Sequence, residues 1–378
     1  MRADQLGRDV RTLTFVERRG LAAPINLADG HARHSLADST INEIELTFGK
    51  LLRQRPSGME VQPAEQAFYA ALSQHTNTRY RERRSFLLYS ASVAIDLCGK
   101  LFSARQLPIS LLSPTFDNLA GLFTSNGCDV RPIDAHALLS SKSWNAVPSQ
   151  SVLCLVVPNN PDGGTISVPS ITELFEVARD LGTIVMLDMS FRMLDPDLCV
   201  DLLAVAERLG TSLILIDDTG KVIPTFDTKC GVLSCTADLS QEFVNLAEEM
   251  LLNCGSLELQ ILATAMRCGE VERARRLVAH NKTTVAEALG PVETLSLHDA
   301  ASPVSIAWVK VDPSLVERLD QIGEFGLEVL PGGPFYWESC NRGNNMIRLA
   351  LMRDADVVEQ AVSRLSAWAN TYQLTRKV

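Results

Sequence analysis

From about residue 86 to residue 235 the chain repeats one pattern: a short apolar run, then an amphipathic stretch. The runs Phe86–Tyr89, Pro108–Leu112, Val152–Val157, Thr183–Leu187, Leu213–Ile216 and Gly231–Cys235 carry few polar residues. The stretches Ala94–Leu107, Asn118–Cys128 and Ser170–Leu181 have helical periodicity. A strand with no polar alternation must be buried on both faces, which predicts a mostly parallel sheet between two helix layers. The α/β class follows. Near-continuous helical patterns run from Gln241 to Leu289, Val304–Val311 alternates like a half-exposed strand, and Ala355–Tyr372 reads as a helix. We expect a large domain over 76–285 and a smaller α+β domain over 286–378. Residues 1–75 are polar and lack a sheet pattern; they are expected to form a lid segment against the small domain or a partner subunit.

Thirty-five basic residues against 45 acidic give a net charge of -10. That balance weighs against nucleic acid and anionic membranes as partners. No apolar run approaches the roughly 18–20 residues of a spanning helix, and the first residues lack a secretory apolar core, so a cytoplasmic location is expected. Nine cysteines include no CxxC pair and six histidines no HExxH motif. We expect reduced thiols and no bound metal.

Four features then occur in order. Ser90-Ala91-Ser92 closes a strand and opens a helix, where free N–H groups make an anion site. Taken alone, the serine is as well explained by helix capping. Asn160, in Pro158-Asn159-Asn160-Pro161-Asp162-Gly163, follows a buried strand, although those residues would form a tight turn in any case. Asp188 ends the next strand, facing the usual ligand crevice of a parallel sheet, unless it merely caps a helix. Lys221, in Asp217-Asp218-Thr219-Gly220-Lys221, lies just past a further strand, and Lys229 introduces the run at Gly231. A partly desolvated lysine there is a candidate for covalent capture of an aldehyde; alone it would read as a solvated loop residue.

Together these features resemble the pyridoxal-phosphate enzymes of the aspartate aminotransferase fold (fold type I). The resemblance implies pyridoxal 5'-phosphate held by Lys221, with Asp188 on the pyridine nitrogen, Asn160 on the ring oxygen and Phe116 against the ring. It puts Ser90, Ala91, Ser92, Ser190 and Lys229 around the cofactor. Arg348, in Met346-Ile347-Arg348-Leu349-Ala350, matches the arginine that clamps the substrate α-carboxylate, and the family's shared sites imply a homodimer. Phe191 departs from the tyrosine many aminotransferases carry there. Asp218-Thr219-Gly220 replaces the usual serine-rich approach to the lysine, and Ser90 stands for a usual glycine.

These departures, with Asn26–Arg33 and Ser190-Phe191-Arg192, resemble more closely the O2- and pyridoxal-phosphate-dependent L-arginine oxidases and hydroxylases, including the arginine hydroxylase of the enduracididine antibiotic pathway. That resemblance implies that free L-arginine and O2 give 4-hydroxy-2-ketoarginine, with 2-ketoarginine as side product, ammonia and hydrogen peroxide. It implies that Thr14, Glu17 and Asp218 hold the guanidinium and that Asp29 supports a catalytic or lid-sealing His31. Carboxylates suit a planar cation with five donors. The alternatives are a cyclodehydratase of hydroxyarginine and an ordinary class I/II aminotransferase.

Overall fold

The computed structural model describes residues 2–3, 9–10, 12–54, 57–141, 144–225, 227–298 and 301–374. Three helices open this part of the chain: α1 (Leu13–Gly20), α2 (Asp38–Arg53) and α3 (Val61–Thr76). The central sheet contains β1 (Ser85–Leu88), β2 (Ile109–Ser113), β3 (Val130–Asp134), β4 (Val152–Val156), β5 (Ile184–Asp188), β6 (Leu213–Asp218) and β7 (Gly231–Cys235). Their order is β1-β7-β6-β5-β4-β2-β3. All contacts from β6 to β3 are parallel, while β7 runs antiparallel to both β1 and β6.

Alternate residues of the strands feed two apolar layers. Cys154, Met186 and Ile214 pack with helices α4 (Ala91–Ala104) and α5 (Asp117–Ser125). Leu153, Leu155, Val185 and Leu215 pack on the other face against the helix Val168–Leu181. At roughly 1.5–3 kcal/mol per fully buried aliphatic side chain, these strands are held chiefly by burial. The strand Val130–Asp134 was not foreseen. It is an edge strand with exposed Arg131 and Pro132, so it lacks the apolar signature of its neighbours.

A second, four-stranded antiparallel sheet comprises β8 (Leu295–His298), β9 (Ile306–Val311), β10 (Leu330–Pro331) and β11 (Met346–Ala350), in the order β8-β9-β11-β10. The expected half-exposure of β9 gives way to near-complete burial. Ala307, Val309 and Val311 face the helices Glu270–Leu289 and Ala355–Leu374, while Trp308 packs against Leu13 and Val16 of α1 and against Phe335. The N-terminal region does contribute strand, contrary to expectation: Ile25–Asn26 pairs in parallel with Leu327–Glu328. Two residues are too few for any periodicity to show. The helical stretch from Gln241 breaks into three helices, Ser240–Met250, Ser256–Arg267 and Glu270–Leu289. No helix among the described residues is long and apolar enough to cross a membrane.

Candidate active site

The C-terminal ends of β4, β5 and β6 open on a cleft of about 220 Å3 between the central sheet and α1. Asp188 closes β5 and is buried; Ser190 donates to its Oδ1 from the backbone N–H at 3.0 Å and from Oγ at 2.6 Å. Burial pushes the Asp188 pKa up, against the pull of the Ser190 bonds. A carboxylate so placed gains most from a cationic partner. Ser190 thus reaches Asp188 directly.

The turn after β4 divides its labour. Asn159 braces it, donating from Nδ2 to the Pro114 carbonyl at 3.0 Å and to Asp162 Oδ1 at 2.9 Å. Asn160 is buried on the cleft wall, and its Oδ1 has no hydrogen-bond partner. Phe116 lines the same wall at the start of α5, its ring edge-on to Phe335 at 6.1 Å.

Lys221 ends a single helical turn that Asp218 caps, accepting from the Gly220 N–H at 2.7 Å. The second carboxylate oxygen of Asp218 accepts from the Ala91 N–H at 3.2 Å, so the lysine loop is tied to the opening of α4. Ser90 caps that helix, and Ser92 Oγ accepts from Asn118 Nδ2 at 3.1 Å. Because β7 is antiparallel, its first residue, Gly231, lies beside this turn. A methyl group there would meet the Ser90 carbonyl carbon at 2.4 Å, so only glycine allows the approach. Lys229 is thereby delivered to the cleft. Behind it, buried Arg192 grips both oxygens of Asp217 at 2.6 and 2.7 Å and Thr78 Oγ1 at 2.9 Å, joining the loop after β5 to the end of β6.

The roof comes from residues 12–33. Thr14 and Glu17, one turn apart on α1, line the cleft with His31. Asp29 Oδ1 binds His31 Nδ1 at 2.6 Å, and its Oδ2 accepts from Arg33 Nε at 2.5 Å. Burial alone would raise the Asp29 pKa, but His31 and Arg33 hold it well below the usual carboxylate range. His31 Nε2 lies 2.8 Å from Lys229 Nζ. The charge of Lys221, then burial, lowers the His31 pKa despite Asp29.

Sequence reasoning missed what holds this roof up. Arg353, buried, donates to the carbonyls of Asn26 at 2.8 Å, Asp29 at 2.6 Å and His31 at 2.8 Å. Burial pushes its pKa down to about 10. Asn26 Oδ1 in turn accepts from the Ala28 and Asp29 N–H groups at 2.9 and 3.1 Å. Arg19 forks onto Glu328, and the Leu13 N–H donates to Asp117 Oδ2 at 3.1 Å. Nothing local in Met352-Arg353-Asp354 marks this arginine as buried.

Arg348 is fully buried on β11. Its Nη2 donates to the Ala28 carbonyl at 2.6 Å and lies 3.5 Å from Glu17 Oε1, while Nε and Nη1 have no hydrogen-bond partner. Unpaired donors on a buried cation fit an incoming carboxylate. With the free Asn160 oxygen, the raised Asp188 and two cleft lysines, the donor set also fits a phosphorylated pyridine aldehyde.

Residues 25–365 match the family described as "Aminotransferase class I and II". The structure of MppP soaked with the product 2-ketoarginine is similar at 29% identity, with a TM-score of 0.79, over 90% of this chain and 98% of that one. LysN, the α-aminoadipate aminotransferase from Thermus thermophilus, superposes with a TM-score of 0.76 at 19% identity, over 98% and 97% of the two chains. Aspartate aminotransferase from the same organism gives a TM-score of 0.74 at 14% identity, over 97% and 100%. The last two establish the aspartate aminotransferase fold. A search of curated proteins returned no match.

Proposed function

The chain belongs to the class I and II aminotransferase family, which implies pyridoxal phosphate, and from that premise we propose that it oxidises free L-arginine with O2. The observation that carries this reading is that Thr14, Glu17 and Asp218 line the same cleft as Lys221. Two carboxylates and a hydroxyl are acceptors for a guanidinium, not for an aliphatic or acidic side chain. The likeness to MppP, whose structure was soaked with 2-ketoarginine, agrees with it.

When bound, pyridoxal phosphate supplies an aldehyde that captures the amino group and a ring that takes up electrons released at Cα. Lys221 would hold it, Asp188 would face its ring nitrogen, Asn160 its ring oxygen and Phe116 its ring face. Ser90, Ala91, Ser92 and Lys229 would surround its phosphate. Ser190 fixes the Asp188 carboxylate. Arg348 binds the substrate α-carboxylate, and Lys221 Nζ takes the proton from Cα. α1 covers the cleft and excludes water, which strengthens the guanidinium contacts. With Lys229 drawn to the phosphate, Nε2 of His31, oriented by Asp29 at Nδ1, would take the proton of the water that adds to Cγ.

One arginine, two O2 and two waters give 4-hydroxy-2-ketoarginine, ammonia and two hydrogen peroxides. Release after one O2 and one water gives 2-ketoarginine, ammonia and one peroxide. The same reading takes the protein as a cytoplasmic homodimer, and the exposed Ile41, Phe48 and Leu52 along one side of α2 offer an apolar face for association.

Mass spectrometry of the arginine product in 18O-labelled water, with oxygen uptake recorded, tests the proposal. Oxygen consumption without an added keto acid, and label at the new hydroxyl, are expected. Strict dependence on a keto acid would identify an ordinary aminotransferase. Retention of the α-nitrogen without oxygen uptake would identify a cyclodehydratase of hydroxyarginine.

A further inference from the structure

Arg348 is a permanent cation with no solvent contact, and a buried charge left uncompensated is strongly unfavourable. Among the described residues, one carboxylate touches it: Glu17, whose Oε1 lies 3.5 Å from Arg348 Nη2. The same Oε1 accepts from the Gly30 N–H at 3.3 Å, which holds Glu17 at that place. Gly30 marks the spot where the charges converge. A methyl group on it would lie 3.3 Å from Arg348 Nη1, 3.7 Å from Lys221 Nζ and 3.8 Å from Glu17 Oε1.

An amino acid that offers its nitrogen toward Lys221 and its carboxylate toward the unpartnered Nη1 of Arg348 must enter over Gly30. Its carboxylate then stands beside that of Glu17. Two carboxylates crowding one guanidinium repel each other, and a substrate carboxylate that takes the unused Nη1 donor lies along the Nη1–Nη2 edge, where Glu17 now touches Nη2. Glu17 is the member of the pair free to leave. It stands on the cleft-facing side of α1, one turn from Thr14, so a change of side-chain rotamer carries its carboxylate into the cleft rather than into the protein interior.

We infer that Glu17 is the resting counter-ion of Arg348, that the substrate α-carboxylate displaces it, and that the displaced charge is satisfied only by a cationic side chain. Selection for a cation is thereby coupled to binding of the carboxylate. A neutral amino acid of the same shape evicts Glu17 and leaves it without a partner; arginine evicts it and supplies one. This rests on the arginine reading and adds to it the means by which neutral amino acids are refused.

The test is anaerobic equilibrium titration of the cofactor-loaded protein with L-arginine and with its neutral isostere L-citrulline. Wild-type protein, Glu17→Gln and Glu17→Ala are compared, so that the result does not hang on one substitution. Wild-type protein is expected to prefer arginine. Both substitutions should weaken arginine by at least about tenfold and tighten citrulline several-fold, because its carboxylate no longer competes with a resident one. The two affinities then converge. Unchanged or weaker citrulline binding in both variants would overturn the exchange and leave Glu17 as a guanidinium contact alone. Wild-type protein that binds the two ligands alike would instead defeat the arginine reading, and the selectivity drawn from it.

Discussion

Asp188, Asn160 and Lys221 stand at or just beyond strand ends buried on both faces of the central sheet, whereas Thr14, Glu17 and His31 stand on a segment that packs one small apolar face, Leu13, Val16 and Ala28, against Trp308 and Phe335 and is otherwise held by polar contacts. The floor of the cleft is fixed by apolar packing that would survive loss of any one hydrogen bond. The roof depends on Arg19, Asn26 and Arg353, each reaching backbone or carboxylate groups of one small region. The family-wide chemistry is assigned to the floor and substrate choice to the roof, which a lineage can rebuild without disturbing the sheet.

The largest expected effect is on the floor. Lys221→Ala should abolish both the visible absorbance of the cofactor-loaded protein and turnover of arginine. Turnover that survives would remove Lys221 from the chemistry and dissolve the division drawn here.

Next is Arg192→Met, which strands the buried Asp217 carboxylate beneath the cleft. Breaking such a pair costs about 3–5 kcal/mol, so denaturant unfolding should show a loss of that order. A negligible change would mean that the floor owes less to this pair than its geometry suggests.

Arg353→Met puts the contrast to its sharpest test. It leaves three roof carbonyls without a donor and touches nothing on the sheet. Arginine affinity should fall by about a hundredfold, with cofactor retention unchanged, as hydrogen bonds from a charged donor contribute about 1.5–3 kcal/mol each. Equal loss of cofactor would show that roof and floor act as one unit.

The smallest effect concerns His34, at the end of the roof segment. It is buried, neither ring nitrogen has a hydrogen-bond partner, and burial pushes its pKa down to about 4. A histidine depressed in the folded state contributes stability that is complete above its unfolded value and is lost as pH falls toward the folded one. From pH 7 to pH 5 this amounts to about 2 kcal/mol. Melting curves at the two pH values should show the loss in wild-type protein and a smaller one in His34→Leu.

The same division decides what could be read from the sequence. Asp188, Asn160 and Lys221 were legible because each follows a continuous apolar run, and a parallel strand delivers its last residues to the crevice. Arg348 was legible because apolar residues flank it on both sides. Arg353 was not: in Met352-Arg353-Asp354-Ala355 it reads as a solvated loop residue, and its burial comes from a segment more than three hundred positions earlier. The contact between Glu17 and Arg348 was hidden for the same reason, since local periodicity carries no information about pairs so far apart. The edge strand Val130–Asp134 escaped because its exposure removes the pattern that marks the other strands.

Three clasps on the roof join an early residue to a late one: Arg19 to Glu328, Glu17 to Arg348, Asn26 to Arg353. During synthesis the sheet can assemble while those late partners are still inside the ribosome, but the first helix has little beyond Asp117 to fasten to until translation is nearly over. Premature termination between Cys235 and Glu328 would leave a nascent chain with its strands in place and its cover hanging loose, so that on the reading proposed above selectivity is the last property this polypeptide acquires.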